Sequence, residues 1–98
     1  MATGRYALAL ESARQAVDIS VPALSADHWR TAVAESAEGA ALTRLGRYAE
    51  AGKLLQHSNE ILARDNAGAP LTYRALARRY LEDLHSRQAA SRAPQHAT

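Results

Sequence analysis

The chain has 98 residues and a formal net charge of +2, from 12 basic and 10 acidic side chains. That length suits one small domain, and so even a balance argues against a dedicated nucleic-acid binder, whose basic face is denser. The absence of cysteine excludes disulfides and thiolate metal sites, and no apolar run is long enough to cross a bilayer.

Half of the hydrophobic residues are alanine, 23 in all, and phenylalanine is absent. Alanine is the best helix former and lets helices approach closely, so the composition predicts thin layers of tightly apposed helices. No strand pattern competes, because the few β-branched residues sit singly inside helical periods. The expected fold class is all-α.

The first helix is predicted over residues 5–20. Ala7, Leu8, Leu10, Ala13, Val17 and Val21 form a loose stripe at steps of three and four, and Pro22 is expected to end it. Ala7-Leu8-Ala9-Leu10 is too short for a secretory core before Glu11 intervenes, so the expected address is the cytoplasm. Residues 21–26 read as a loop, with Ser25 or Asp27 as the N-cap of a second helix over 28–45. Its expected buried side is Trp29, Val33, Ala37, Ala40, Ala41 and Leu45. Trp29 reads as a cap on the core at the start of this helix rather than an exposed anchor. Gly46 stands where a left-handed C-cap is needed, which predicts a tight reversal into an antiparallel third helix over 48–64. The third helix has Tyr48, Ala51, Leu54, Leu55, Ile61 and Leu62 as its apolar set. Asp65-Asn66-Ala67-Gly68 is a stop signal. Pro70 suits the first turn of a fourth helix ending near Arg87, with a stripe of Leu71, Ala75, Leu76, Tyr80, Leu81 and Leu84. The domain is thus expected over 4–87, followed by a disordered tail over 88–98.

The chain also repeats itself. Gly4-Arg5-Tyr6-Ala7 recurs as Gly46-Arg47-Tyr48-Ala49, a period of 42 residues. At the same offset Ala9 matches Ala51, Asp18 matches Glu60, Ile19 matches Ile61 and Leu42 matches Leu84. A fixed period of this size marks stacked helical units, each burying its apolar face on a neighbour.

These residues resemble the tetratricopeptide repeat family, whose unit is two antiparallel helices, A and B, with small residues where they cross. Gly39 falls on the small residue of helix A, Gly46 on the turn glycine, Tyr48 on the aromatic after it and Ala51 on the small residue of helix B. Leu42 and Leu55 fall on large packing positions. The long period is similar to the kinesin-light-chain type, and the order of motifs resembles arrays appended to bacterial serine/threonine kinases. There are departures: Glu35 and Glu38 stand where the family has large apolar residues, and Leu81 stands at the equivalent of Gly39. The first unit opens directly on a B helix.

The resemblance implies a non-catalytic module that binds a protein or peptide and needs no cofactor. The family's inner groove is lined by helix A. Carried onto this chain, that groove comprises Val33, Ser36, Ala40, Thr43 and Arg44, with Ala75, Arg78, Arg79, Glu82 and His85 on the fourth helix. Arg44, Arg78 and Arg79 would then share one concave side and suit an acidic or C-terminal peptide, because guanidinium groups offer planar paired donors. The uncovered stripe around Leu8, Leu10 and Val17 predicts self-association or membership of a longer array. Two other readings are a regulatory or oligomerisation segment of a bacterial signalling protein, and a small basic nucleic-acid binder using Arg74, Arg78, Arg79, Arg87 and Arg92. No G-x-S-x-G or phosphate-loop motif occurs. His57 and Glu60 share a helix face at i and i+3, but a metal site needs further ligands from another helix, so they read as a solvated surface. His28 and His96 have no evident partners.

Overall fold

The computed structural model describes residues 2–25, 27–64 and 68–92. Among these the chain forms α-helices α1 (Ala2–Leu24), α2 (Trp29–Arg44), α3 (Tyr48–Leu62) and α4 (Leu71–Arg92), with no strand. The fold class is all-α. No helix among the described residues is long and apolar enough to cross a membrane.

Helix α1 does not stop at Pro22, as the sequence reading expects, but carries it inside its last turn and ends at Leu24. A proline so close to the C-terminus removes one of the final hydrogen bonds rather than one from the middle of the ladder, so little is lost. The chain breaks instead at Ser25, whose φ of 126° cannot continue a right-handed helix. Helix α2 is capped by His28, not by Ser25 or Asp27: His28 Nδ1 accepts the Arg30 N–H at 3.1 Å. Ser25 contributes through its backbone, accepting the Thr31 hydroxyl at 2.8 Å.

The reversal after α2 is as expected. Gly46 has φ 79°, its N–H donates to Thr43 O at 3.1 Å, and the Arg47 N–H donates to Leu42 O at 2.9 Å. This pair of bonds is the Schellman arrangement, which satisfies the last carbonyls of α2. Arg47 then forks onto Glu50 through two bonds of 2.9 and 3.0 Å in the first turn of α3, where a carboxylate is favoured by the helix dipole. At the far end Pro70 precedes α4 and accepts the N–H groups of Tyr73 and Arg74. Of the expected stop signal, residues 65–67 lie outside the described residues. Helix α4 runs five residues past its expected end at Arg87, so the first part of the predicted tail is helical, while its remainder, with His96, lies outside the described residues.

Helices α2 and α3 lie side by side and antiparallel. Glu35, early in α2, meets His57 late in α3, and Gly39 meets Leu55 and Ala51 nearer the turn. A Cβ placed on Gly39 would fall 2.6 Å from Leu55 Cγ, so only glycine admits this close a crossing. One core cluster joins Leu10, Ala41, Leu42, Ala51, Leu55 and Leu84, and a second joins Ala32, Ile61, Leu62 and Ala77. Trp29 packs on the second cluster, stacks on Tyr73 at 6.0 Å between ring centroids and takes Arg30 over its face. It is therefore the core cap that the sequence predicts.

The buried side of α2 differs from the expected stripe. Thr31, Ala32, Ser36, Gly39, Leu42 and Thr43 are buried together with Ala41, whereas Ala37 is exposed. Hydroxyls tolerate this burial because each bonds a carbonyl close by: Ser36 to Val33 O at 2.7 Å, Thr43 to Gly39 O at 2.9 Å. Ser58 of α3 does the same toward Leu55 O at 3.2 Å. Asn59 ties α3 to α4, donating to Ala77 O and Leu55 O at 2.9 Å.

The packing follows the 42-residue period at one pair of positions and departs from it at others. Leu42 and Leu84, one period apart, are each 1% exposed. Ile61 is 1% exposed, yet its counterpart Ile19 is 70% exposed. Ile61 is enclosed in the cluster with Ala32 of α2 and Ala77 of α4, while no described helix covers the matching face of α1. Gly46 makes a turn, but its counterpart Gly4 lies within α1.

Candidate functional site

Helix α2 presents Ala37, Ala40, Ala41 and Arg44 at steps of three, one and three, which places them on one strip of its surface. Helix α1 flanks the strip with Tyr6 and Ala9, and α4 flanks it with Tyr80 and Asp83. Together they enclose a groove of about 310 Å³ with an alanine floor and a tyrosine on either wall. Along the floor Ala37 is exposed, Ala40 is half-buried and Ala41 is buried in the first core cluster, so the groove deepens toward the core between α1 and α4.

The polar end of the groove is built around Asp83. Arg87, one turn along α4, donates to both Asp83 oxygens at 3.0 Å. Arg44 approaches the same carboxylate only to 3.8 Å, and its guanidinium rests over the Tyr6 ring at 5.8 Å. A neighbouring depression of about 300 Å³ shares Arg44, Tyr80 and Asp83 and adds Leu76 and Arg79. Among the described residues no carboxylate pairs with Arg79. The groove and its neighbouring depression thus set two guanidinium groups, Arg44 and Arg79, against one carboxylate, Asp83, which Arg87 already holds.

The residues expected to line this groove divide. Ala40, Arg44 and Arg79 line it or its extension. Ser36 and Thr43 are buried, and Val33 packs on the second core cluster. Arg78 and Ala75 do not share the groove: they line a separate cleft of about 420 Å³ between α3 and α4, with Asn59, Ala63, Leu71 and Arg74. Glu82 and His85 are exposed on α4 and line neither. The expectation fails by a rotation. Ala77 and Leu84 face the core, which turns Leu76, Arg79, Tyr80 and Asp83 toward the groove, about 100° from the predicted face. The signal in the sequence is Ala77 and Leu84, seven apart; the predicted stripe uses Leu71, which is 74% exposed, instead of Ala77, which is fully buried. Tyr6 and Tyr80 as walls are not foreseen by it.

A second polar cluster lies on the opposite side of α2. His57 Nδ1 is 2.6 Å from Glu35 Oε1, and its Nε2 is 3.4 Å from Asp27 Oδ1. Sequence reasoning pairs His57 with Glu60, which is exposed and apart from this cluster. Burial pushes the Glu35 carboxyl above its ordinary range, with His57 opposing. The Glu35 carboxylate, through its hydrogen bond, holds His57 above its ordinary value against the effect of burial. Glu38 is paired with Arg14 of α1 at 3.3 Å. Both glutamates that depart from the family pattern are therefore engaged between helices. Among the described residues no group of three or more metal-ligating side chains is placed to hold an ion.

Neither a family model, nor a curated protein, nor a solved structure matches the chain.

Proposed function

We propose that the chain is a non-catalytic helical-repeat module of the tetratricopeptide type, and that the groove between α1, α2 and α4 receives an acidic peptide segment. The observation that carries this reading is the looseness of Arg44. Asp83 already has two short bonds from Arg87, so Arg44, at 3.8 Å, is spare. An incoming carboxylate that draws Arg44 from its long contact gains planar donors while Asp83 keeps both bonds from Arg87, and Arg79 adds charge of the same sign. The alanine floor admits a small apolar side chain beside that carboxylate, between two tyrosines that offer amphipathic contact at little entropic cost.

Fluorescent peptides that pair leucine with aspartate or glutamate test this against twins carrying lysine. The acidic peptides are expected to bind better, and Arg44→Glu with Arg79→Glu to weaken them about tenfold, equivalent to about 1.4 kcal/mol. Equal binding of acidic and basic twins contradicts the reading.

A second reading, self-association through α1, is favoured by the exposure of Leu8 at 67% and Ile19 at 70% on a helix whose repeat partner buries the corresponding isoleucine. Analytical ultracentrifugation is expected to show mass above the monomer at high concentration, and Ile19→Lys to restore the monomer with helicity intact. A monomeric wild-type chain throughout contradicts it.

A further inference from the structure

Three segments meet at His57: α3, which carries it, α2 through Glu35, and the connection between α1 and α2 through Asp27. Both ring nitrogens face carboxylate oxygens. A neutral imidazole has one N–H and one lone pair, so it satisfies one carboxylate and turns a lone pair on the other; only the imidazolium donates to both. We infer that His57 is a protonation-controlled latch, which fastens the α1–α2 connection to the α2–α3 hairpin when charged and releases it at Asp27 when neutral.

The surroundings favour Asp27 as the contact that opens. Glu35 lies closer, at 2.6 Å against 3.4 Å, and its side chain is 13% exposed against 69% for Asp27. The remaining proton therefore stays on Nδ1 toward Glu35, and the more solvated carboxylate is let go. Ser25 sits at φ 126°, and its carbonyl takes the Thr31 hydroxyl and a long bond of 3.4 Å from the His28 N–H.

The other charges around the site do not replace the latch. On α2 Glu38 adds negative potential near Glu35 but is engaged by Arg14 of α1. On α3 itself Lys53 and Glu60 stand one turn to either side of His57. Helix α4 packs against the Asn59 side of α3, where Arg74 and Arg78 line the cleft with Ala63.

The raised positions of both His57 and Glu35 mean that the folded chain holds protons more tightly than the unfolded one. The stabilisation from His57 is fully present below the ordinary histidine value of about 6.5 and is lost as pH rises through its folded, higher value. The latch itself does not depend on what the groove binds.

The test is an NMR titration of the whole chain from about pH 5 to 9, following the His57 ring and the amides of Ser25, Asp27 and His28. The ring is expected to titrate above about 6.5, and the connection amides to shift with the same midpoint. In Asp27→Asn, an exposed and near-isosteric change, the ring midpoint is expected to fall and the connection amides to stop following it. Glu35→Gln is expected to lower the ring midpoint further than Asp27→Asn does. A ring midpoint at the ordinary value, or connection amides that ignore the His57 transition in the wild type, overturns the inference.

Discussion

Leu55→Ala is expected to cost about 2–5 kcal/mol of unfolding free energy, the range for truncating a fully buried leucine. Leu55 has no exposed surface and packs across the α2–α3 seam onto Gly39. Glycine has no side chain to swing into the space that truncation leaves, so the cavity closes only if the helices themselves move together. Against a whole-domain stability of about 5–15 kcal/mol, this loss takes the chain close to its unfolding threshold. Leu8→Ala, on the exposed side of α1, is the control: in a monomeric sample its cost should stay within about 0.5 kcal/mol. Urea denaturation followed by circular dichroism measures both. A Leu55→Ala cost below that of the control would show that the seam does not hold the hairpin.

Gly39→Ala is expected to destabilise by about 1–3 kcal/mol, even though alanine is the better helix former by about 1 kcal/mol. The new methyl group would lie 2.6 Å from Leu55 Cγ and 2.8 Å from Leu55 Cδ2, and the branch carbon of a fully buried side chain cannot yield alone. Gly52 supplies the opposite case one helix away. A methyl group there meets only Leu84 Cδ2 at an ordinary 3.8 Å, so Gly52→Ala should stabilise by up to about 1 kcal/mol. The same substitution thus has opposite signs in adjacent helices, decided by what stands opposite. When Gly39→Ala is combined with Leu55→Ala, the added methyl group occupies part of the space that the leucine leaves, so the two costs should fall short of additive. Fully additive costs would mean that residues 39 and 55 are not in contact.

The helices are legible because their ends carry local chemistry. Gly46 marks the turn through its need for positive φ, and the small residues Gly39 and Ala51 mark the crossing. What escapes is set by tertiary packing. Pro22 reads as a stop, but a proline in a last turn costs little there. Ser36 and Thr43 read as surface, but their hydroxyls bond their own helix and let them be buried. Ala37 reads as core and instead floors the groove, and Ala40, which reads as both core and groove, lines the groove half-buried, because alanine fits either setting. The groove is half legible: Arg44 and Arg79 belong to it, but the rotation of α4 about its axis is fixed by Ala77, a residue too small to stand out in an alanine-rich chain. The pairing of His57 with Glu35 and Asp27 joins residues more than twenty positions apart, and no local pattern signals it.

One measurement bears most directly on the proposed groove: NMR chemical-shift mapping with a leucine–aspartate peptide that binds the wild type. The expected perturbations fall on Tyr6, Ala37, Ala40, Arg44, Arg79 and Tyr80, and fade in Arg44→Glu. Perturbations confined to the α3–α4 cleft around Arg78, or to the exposed Leu8 and Ile19 face of α1, would contradict it.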